Sequence, residues 1–292
     1  MAVRKPDKEI EIKVEDYKSI IKNKKILSLP IIRGVFNFID SLVVGTKCLM
    51  YSATFFEEEE DYRKRKELQG EEKEKEEAKK EKEDRILMTL TVCFSVVFSV
   101  ALFMVLPYLL ASLLHRVGAT ETLVTIAEAA VRILLFLLYM FLISKMEDIQ
   151  RVFMYHGAEH KCINCIEHGL PLTVENVRKS SKHHKRCGTS FLLIVMLISI
   201  LFFMFIRVDS KPLQLLLRLV LIPVIAGVSY EFIRLAGRYD NPVVNMLSVP
   251  GLLMQRMTTK EPDDEMIEVG IASVEAVFDW KKWQEENNVC AH

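Results

Sequence analysis

Residues 86–114 read ILMTLTVCFSVVFSVALFMVLPYLLASLL, and these 29 positions carry no charge. A helix rises about 1.5 Å per residue, so roughly 20 apolar residues already cross the ~30 Å hydrocarbon core of a bilayer. The stretch just before it, residues 57–85 (EEEEDYRKRKELQGEEKEKEEAKKEKEDR), is charged at 24 of 29 positions. Averaged over 292 residues these extremes vanish: 39 Lys plus Arg balance 39 Asp plus Glu, and half the residues are hydrophobic. The average suits a soluble enzyme, but the segregation of charge excludes one. The absence of a basic excess excludes a protein that grips nucleic acid through its phosphates. The pattern is that of an integral membrane protein.

Working outward, hydropathy predicts four spans, 86–114, 122–144, 188–206 and 213–237, within a membrane domain covering 86–260. Residues 145–186 between the second and third spans hold eight Lys and Arg, whereas the links 115–121 and 207–211 hold one and two. Cytoplasmic loops carry the excess of cations, so residues 145–187 and both termini are expected in the cytoplasm of a bacterial inner membrane. The first 25 residues are polar and mixed in charge, with neither the apolar run nor the cleavage site of a signal peptide.

Two apolar segments are not expected to span. Within 26–56, Arg33, Asp40 and Lys47 recur at seven-residue intervals and share one helical face. That suits an amphipathic helix at the membrane surface or one packed on the spans. Residues 243–257 are flanked and interrupted by Pro242, Pro250 and Gly251, which break helices, and read as an interfacial or re-entrant piece. The run 57–85 reads as a solvated spacer, flexible or helical with i,i+4 ion pairs. In 261–292, Pro262 and Asp263 mark a helix start. Ile267, Ile271, Val274 and Phe278 then form one apolar stripe of an amphipathic cytoplasmic helix. The expected fold is all-α: about four transmembrane helices, added interfacial helices, and a cytoplasmic layer of His, Glu, Arg and Cys.

The chemistry concentrates in Tyr155-His156-Gly157-Ala158-Glu159-His160-Lys161. On a helix, His156, Glu159 and His160 lie on one side, and two imidazoles four apart can fill two positions of a tetrahedral zinc ion. A carboxylate beside them suits a general base that takes a proton from an attacking water. The order H-x-x-E-H occurs in inverted zinc peptidases. The alternative is that both histidines only hydrogen-bond at the membrane surface. Gly157 sits oddly there, since glycine costs a helix about 1 kcal/mol relative to alanine. On the predicted topology His184, Cys187 and Glu231 approach the same membrane face. Glu231 is either a further metal ligand or the partner of Arg234 or Arg238. Glu128 and Arg132 form a self-neutralising i,i+4 pair, and Arg218 is expected to snorkel outward. Six cysteines occur. Cys162 and Cys165 have zinc-like spacing but lack a regular second ligand pair.

The strings LPIIRGVFNFIDSLVVGTKCLMYSA, YHGAEHKCINCIEHGLPLTVENVR, HKRCGTSFLLIVMLISI, IPVIAGVSYEFIRLAGRYDNP and PGLLMQRMTTKEPDDEMIEVGIAS cover most of the chain beyond residue 28. Through them the sequence resembles the YqhQ family, bacterial integral membrane proteins of unknown function often labelled predicted metal-dependent enzymes. The resemblance implies that His156, Glu159, His160, Glu167, His184, Arg186, Cys187, Glu231, Arg234 and Arg238 occupy the family's polar positions. Family members open on a Gly-rich segment, and this sequence, which starts MAVRKPDKEI, is expected to lack it. A family turn that reads H-P-R-C reads His184-Lys185-Arg186-Cys187 here, without its rigid proline.

The leading expectation is a membrane-embedded metal-dependent hydrolase. His156 and His160 would hold Zn²⁺, with Glu231 or His184 completing the site and Glu159 as base. Arg186 or Arg234 would stabilise an oxyanion or hold an anionic group, with Cys187, Glu167 and Arg238 in the same polar network. The alternative is a non-catalytic scaffold or assembly factor working through cytoplasmic contacts with a second copy or another membrane protein. A transporter fits less well, because the ionisable groups lie near span ends rather than at the midplane. Neither a nucleotide nor a haem signal is present.

Overall fold

The computed structural model describes residues 1–5, 7–17, 19–20, 25–56, 71–206, 208, 210–239 and 241–289. The first half of the charged spacer, 57–70, and Cys290 lie outside the described residues. The chain opens on an antiparallel hairpin, β1 (Ala2–Arg4) and β2 (Ile10–Ile12), paired Ala2 to Ile12 and Arg4 to Ile10. Among the described residues, this short hairpin is the departure from an all-α fold. Helix α1 (Ile32–Ala53) follows, then α2 (Glu71–Val100), α3 (Leu106–Ser112) and α4 (Glu121–Ile143). After them come α5 (Glu147–Glu167), α6 (Val174–Lys179), α7 (Gly188–Met204) and α8 (Lys211–Arg238). The chain closes with α9 (Pro242–Thr258), α10 (Asp264–Glu275) and α11 (Trp280–Glu286).

Among the described residues, three helical stretches are long and apolar enough to cross a bilayer: Ile86–Val117, Glu121–Ile143 and Pro212–Arg238. The other predicted span, α7, is apolar but has 17 residues, about 25 Å of helix. The chain divides into two compact units, Ala53–Tyr139 and Met1–Ser52 with Met140–His292. In the first, the charged spacer from Glu71 runs without a break into the apolar helix. A π-helical turn, Ala101–Val105, precedes Pro107. Proline lacks an N–H and clashes with the preceding turn, and a locally widened helix relieves both problems. Arg132 donates to Glu128 at 2.7 Å, the expected i,i+4 pair.

The second unit carries the candidate site. α7 and α8 are joined by a short link, so the start of α7 and the end of α8 lie together, and a Cβ on Gly237 would strike Arg186. α1 and α9 pack at this same end. Gly34 of α1 meets Gly227 and Tyr230 of α8 so closely that a Cβ would fall 2.8 Å from Tyr230 Cβ. Phe38 of α1 lies 5.1 Å from Phe191 of α7, ring to ring. Gly251 of α9 sits on Ser190 of α7. α9 is one continuous helix despite Pro250, which corrects the expected interruption. Pro242 occupies the first turn, where no N–H is needed, and the Asn241 side chain caps Val244 N–H. Arg218 is buried, with its guanidinium 5.1 Å from the Phe203 ring, and does not snorkel.

The seven-residue charges of α1 all find partners within the chain. Arg33 binds Glu231, Asp40 accepts from Tyr17 and Ser19, and Lys47 binds Glu15 at 3.0 Å. The opposite stripe, including Ile32, Ile39, Leu42 and Leu49, is exposed. Below this end, α5 packs on α10 through a core of Cys162, Cys165, Ile166, Val177 and Ile267. Asp263 caps α10 by accepting from Met266 N–H at 2.8 Å, so the expected helix start is in place. The C-terminal segment forms two helices rather than one, because Asp279 starts α11 afresh.

Candidate metal centre

α5 presents His156 and His160 on successive turns, with ring centroids 4.4 Å apart. Each imidazole spends its Nδ1 on a backbone carbonyl: His156 on Thr258 at 2.9 Å, His160 on Lys182 at 2.7 Å. A neutral imidazole that donates from Nδ1 keeps its lone pair on Nε2. The His156 Nε2 then lies 3.3 Å from Cys187 Sγ. Ligand atoms of His156, His160 and Cys187 all fall within 4.8 Å of one another.

Side chains of α5 bring Cys187 to this position. Lys161 donates to the Arg178 and Ser180 carbonyls at 2.8 Å each, and meets Glu261 at 3.1 Å. Asn164 donates to the Ser181 and His183 carbonyls at 2.7 and 3.0 Å. With His160 on Lys182, one face of α5 holds five carbonyls of the stretch that runs from the end of α6 toward Cys187. Gln255 of α9 clamps the next residue, accepting from His184 N–H and donating to its carbonyl. Gly157 now has its reason. A Cβ there would strike the Lys260 carbonyl, so glycine lets the chain after α9 cross α5 and deliver the Thr258 carbonyl to His156.

His156 and Cys187 sit in a closed ring of polar contacts with Thr189 and Thr258. Cys187 Sγ contacts His156 Nε2 and Thr189 Oγ1, the latter at 3.0 Å. Thr258 Oγ1 donates to Thr189 Oγ1 at 3.1 Å, and the Thr258 carbonyl returns to His156. Burial alone would push the Cys187 thiol up. Hydrogen bonds from His156, His160 and Thr189 outweigh it and hold the pKa at about 5. Burial likewise opposes protonation of His156, but Cys187, the Thr258 carbonyl and Glu159 raise its pKa.

Of the other expected site residues, His184 lies beside His160, with ring centroids 5.9 Å apart, and each of the rest has a setting of its own. His184 accepts from Arg186 N–H at Nδ1 and faces Glu167 at 3.1 Å through Nε2, so both ring nitrogens are engaged. Arg186 also binds Glu167, whose carboxyl His184 above all holds below its usual range. Glu231 takes Arg33 on both carboxylate oxygens, with Arg234 3.8 Å away. By sequence proximity Arg234 and Arg238 are the expected partners, but Arg33, 198 residues away, takes the pairing. Arg238 stacks by Tyr239, its guanidinium 5.8 Å from the ring. Glu159 is exposed beside His156 and lines a cavity on the adjoining face of α5. Cys162 and Cys165 lie in the apolar core, and burial first of all pushes Cys162 up to about 12. Lys161, Asn164, Thr189, Gln255 and Thr258 were not foreseen, for nothing in their spacing marks them.

Two imidazole nitrogens and a thiolate suit zinc, which binds three protein ligands at catalytic sites and keeps one position open. The fit rests on the two Nδ1 anchors, which leave each imidazole its Nε2 to offer to a metal.

A family model described as "Protein of unknown function (DUF1385)" matches residues 29–280. Over 297 aligned positions the chain is 33% identical to the uncharacterized protein YqhQ of Bacillus subtilis (strain 168), spanning 100% of this chain and 90% of that protein. No solved structure matches.

Proposed function

The chain belongs to the DUF1385 family, as the YqhQ-like strings implied, and from that premise we propose that it is a membrane-embedded, metal-dependent hydrolase. The observation that carries this reading is the convergence of His156, His160 and Cys187, with both imidazoles anchored through Nδ1. In this reading Cys187 takes the third ligand position that the sequence suggested for Glu231 or His184. A divalent ion held there supplies Lewis-acid activation. Glu159 accepts a proton from the attacking water, and Arg186 stabilises negative charge that develops on the substrate.

The reading places the centre at the cytoplasmic face of a bacterial inner membrane. α7 and α8 each cross the bilayer, and so do the apolar stretches 86–114 and 122–144, four crossings that leave both termini in the cytoplasm. The exposed apolar stripes of α1 and α9 support a bilayer as partner at the end of α7 and α8 that carries the site. Purified full-length protein is expected to hold one equivalent of zinc, lost in His156→Ala, His160→Ala and Cys187→Ser. Sub-stoichiometric metal, unchanged in those variants, would overturn the proposal.

A second reading is favoured by the ring through Thr189 and Thr258, which ties α5, α7 and α9 together. In it the cluster is a structural node of a non-catalytic scaffold, and the cytoplasmic surface binds a second copy or a membrane-protein partner. Chelation then lowers thermal stability, while Glu159→Gln changes nothing measurable in any hydrolytic assay.

A further inference from the structure

The face of α5 next to the histidines opens on a cavity of about 610 Å³, walled by α5, α10 and α11 and touched by Ala2 of the hairpin. Its wall includes Ile163, Ile166, Met266, Val274, Phe278 and Trp283. Polar side chains in the lining are few: Tyr155, Glu159, Glu167, Arg186 and Ser273. None of the three candidate ligands lines it. Glu159 and Arg186 are each next in sequence to one of them, Glu159 to His160 and Arg186 to Cys187. The volume falls in the range of small-molecule sites.

Resting on the hydrolase reading, we propose that this cavity binds the chain of a single-chain acyl ester, with the ester group at the Glu159–Arg186 edge. An extended peptide presents an N–H and a C=O at every residue, and each needs a partner when buried. This apolar wall offers very few, whereas an acyl chain needs none. The charges at the edge choose the head. Glu167 neutralises Arg186 but takes few of its five N–H donors, so the guanidinium can still donate to an ester oxygen. Glu159 has no hydrogen-bond or ion-pair partner among the described residues, and its carboxylate repels an anionic head. The site therefore favours the ester over the free carboxylate that hydrolysis produces. In that reaction water attacks the acyl carbon and the ester C–O bond breaks. The proton taken by Glu159 passes to the leaving alcohol oxygen, and the acid formed releases its proton to solvent as the carboxylate departs.

The two tryptophans of the chain are Trp280 and Trp283, so Trp280→Phe leaves Trp283, in the cavity wall, as the sole reporter. Full-length protein in nanodiscs of unbrominated phosphatidylcholine is titrated with a mid-chain brominated monoacylglycerol, and separately with the same chain as a carboxylate. The expected result is saturable quenching, at least about five-fold tighter for the ester. Ser273→Phe, which obstructs the cavity, and Arg186→Gln each weaken it several-fold, and Glu159→Gln narrows the gap between ester and carboxylate. Linear quenching that is identical in Ser273→Phe and Arg186→Gln means partition into the bilayer and overturns the proposal. Tighter binding of the carboxylate overturns the ester assignment. Repeating the titration in His156→Ala separates the two readings: binding that survives without metal keeps the cavity, and metal without saturable quenching keeps only the centre.

Discussion

Helix α5 carries two kinds of cysteine neighbourhood, and the contrast explains how this protein makes a site. Cys162 and Cys165 project from α5 itself into the core, among Ile166, Val177 and Ile267. Cys187 comes from a different part of the chain and is just as enclosed, yet it meets two imidazoles and a threonine hydroxyl. Burial raises a thiol's pKa wherever no charge or donor answers the thiolate. That pushes Cys162 up to about 12, while the donors around Cys187 bring it to about 5. Enclosure is common to both, and the neighbours decide.

The largest expected difference is in ionisation. At pH 7 a thiol with pKa about 12 is ionised in roughly one molecule in 10⁵, while one at about 5 is almost wholly thiolate. In chelator-treated protein the ultraviolet thiolate absorbance removed by Cys187→Ala should titrate near pH 5. Cys162→Ala should remove none below pH 9. Equal titration of the two would break the contrast.

Metal loading sharpens it next. Loss of an outer-sphere partner typically weakens metal binding 10–100-fold, so Cys187→Ser, which removes a proposed ligand, should cost at least about 100-fold. Cys162→Ser should leave loading unchanged while lowering the unfolding temperature, because it buries a hydroxyl in an apolar core. Binding should also weaken as pH falls. The raised pKa of His156 means that a proton competes for Nε2, and that proton gains as acidity increases.

Gly157→Ala tests what holds the ring shut. Overpacking typically costs about 1–3 kcal/mol, and here it acts against a backbone carbonyl that cannot rotate away. Thermal unfolding should drop accordingly, and zinc affinity with it, as Thr258 is displaced from His156. An unchanged affinity would mean that the Thr258 anchor is dispensable.

These outcomes also mark how far the sequence could be read. The apolar stretches, the helix at 264 and the histidine pair on one helix were legible because each rests on local periodicity. Cys187 was within the polar set, but its place beside the histidines was not legible. It depends on Lys161 and Asn164 gripping backbone carbonyls, and a carbonyl is the same in every residue. Gly157 read as a defect because the chain crossing it is more than 100 residues away in sequence, at Lys260. The charges of α1 were legible as a face, though nothing in their spacing named Glu231, Tyr17 or Glu15 as partners.

The smallest expected effect comes from Glu231→Gln, which probes the far end of the same site layer. Glu231 is an acid near the end of an apolar helix, and such a residue is costly unless paired or functional. The structure pairs it with Arg33 on both oxygens, where α1 and α8 cross through Gly34 and Gly227. Asn37 donates to Tyr230 Oη at 2.7 Å beside it, so the crossing keeps a second polar tie when the ion pair is cut. Zinc loading and Cys187 ionisation should therefore match the unaltered protein, with a modest fall in unfolding temperature as the sole change. Arg33→Gln should give that same fall, and the double variant should fall by less than the sum, as expected of residues that act through each other. If Glu231→Gln instead released zinc, the carboxylate would be acting on the metal centre. The division between residues proposed to hold an ion and residues that hold the helices would then have to be redrawn.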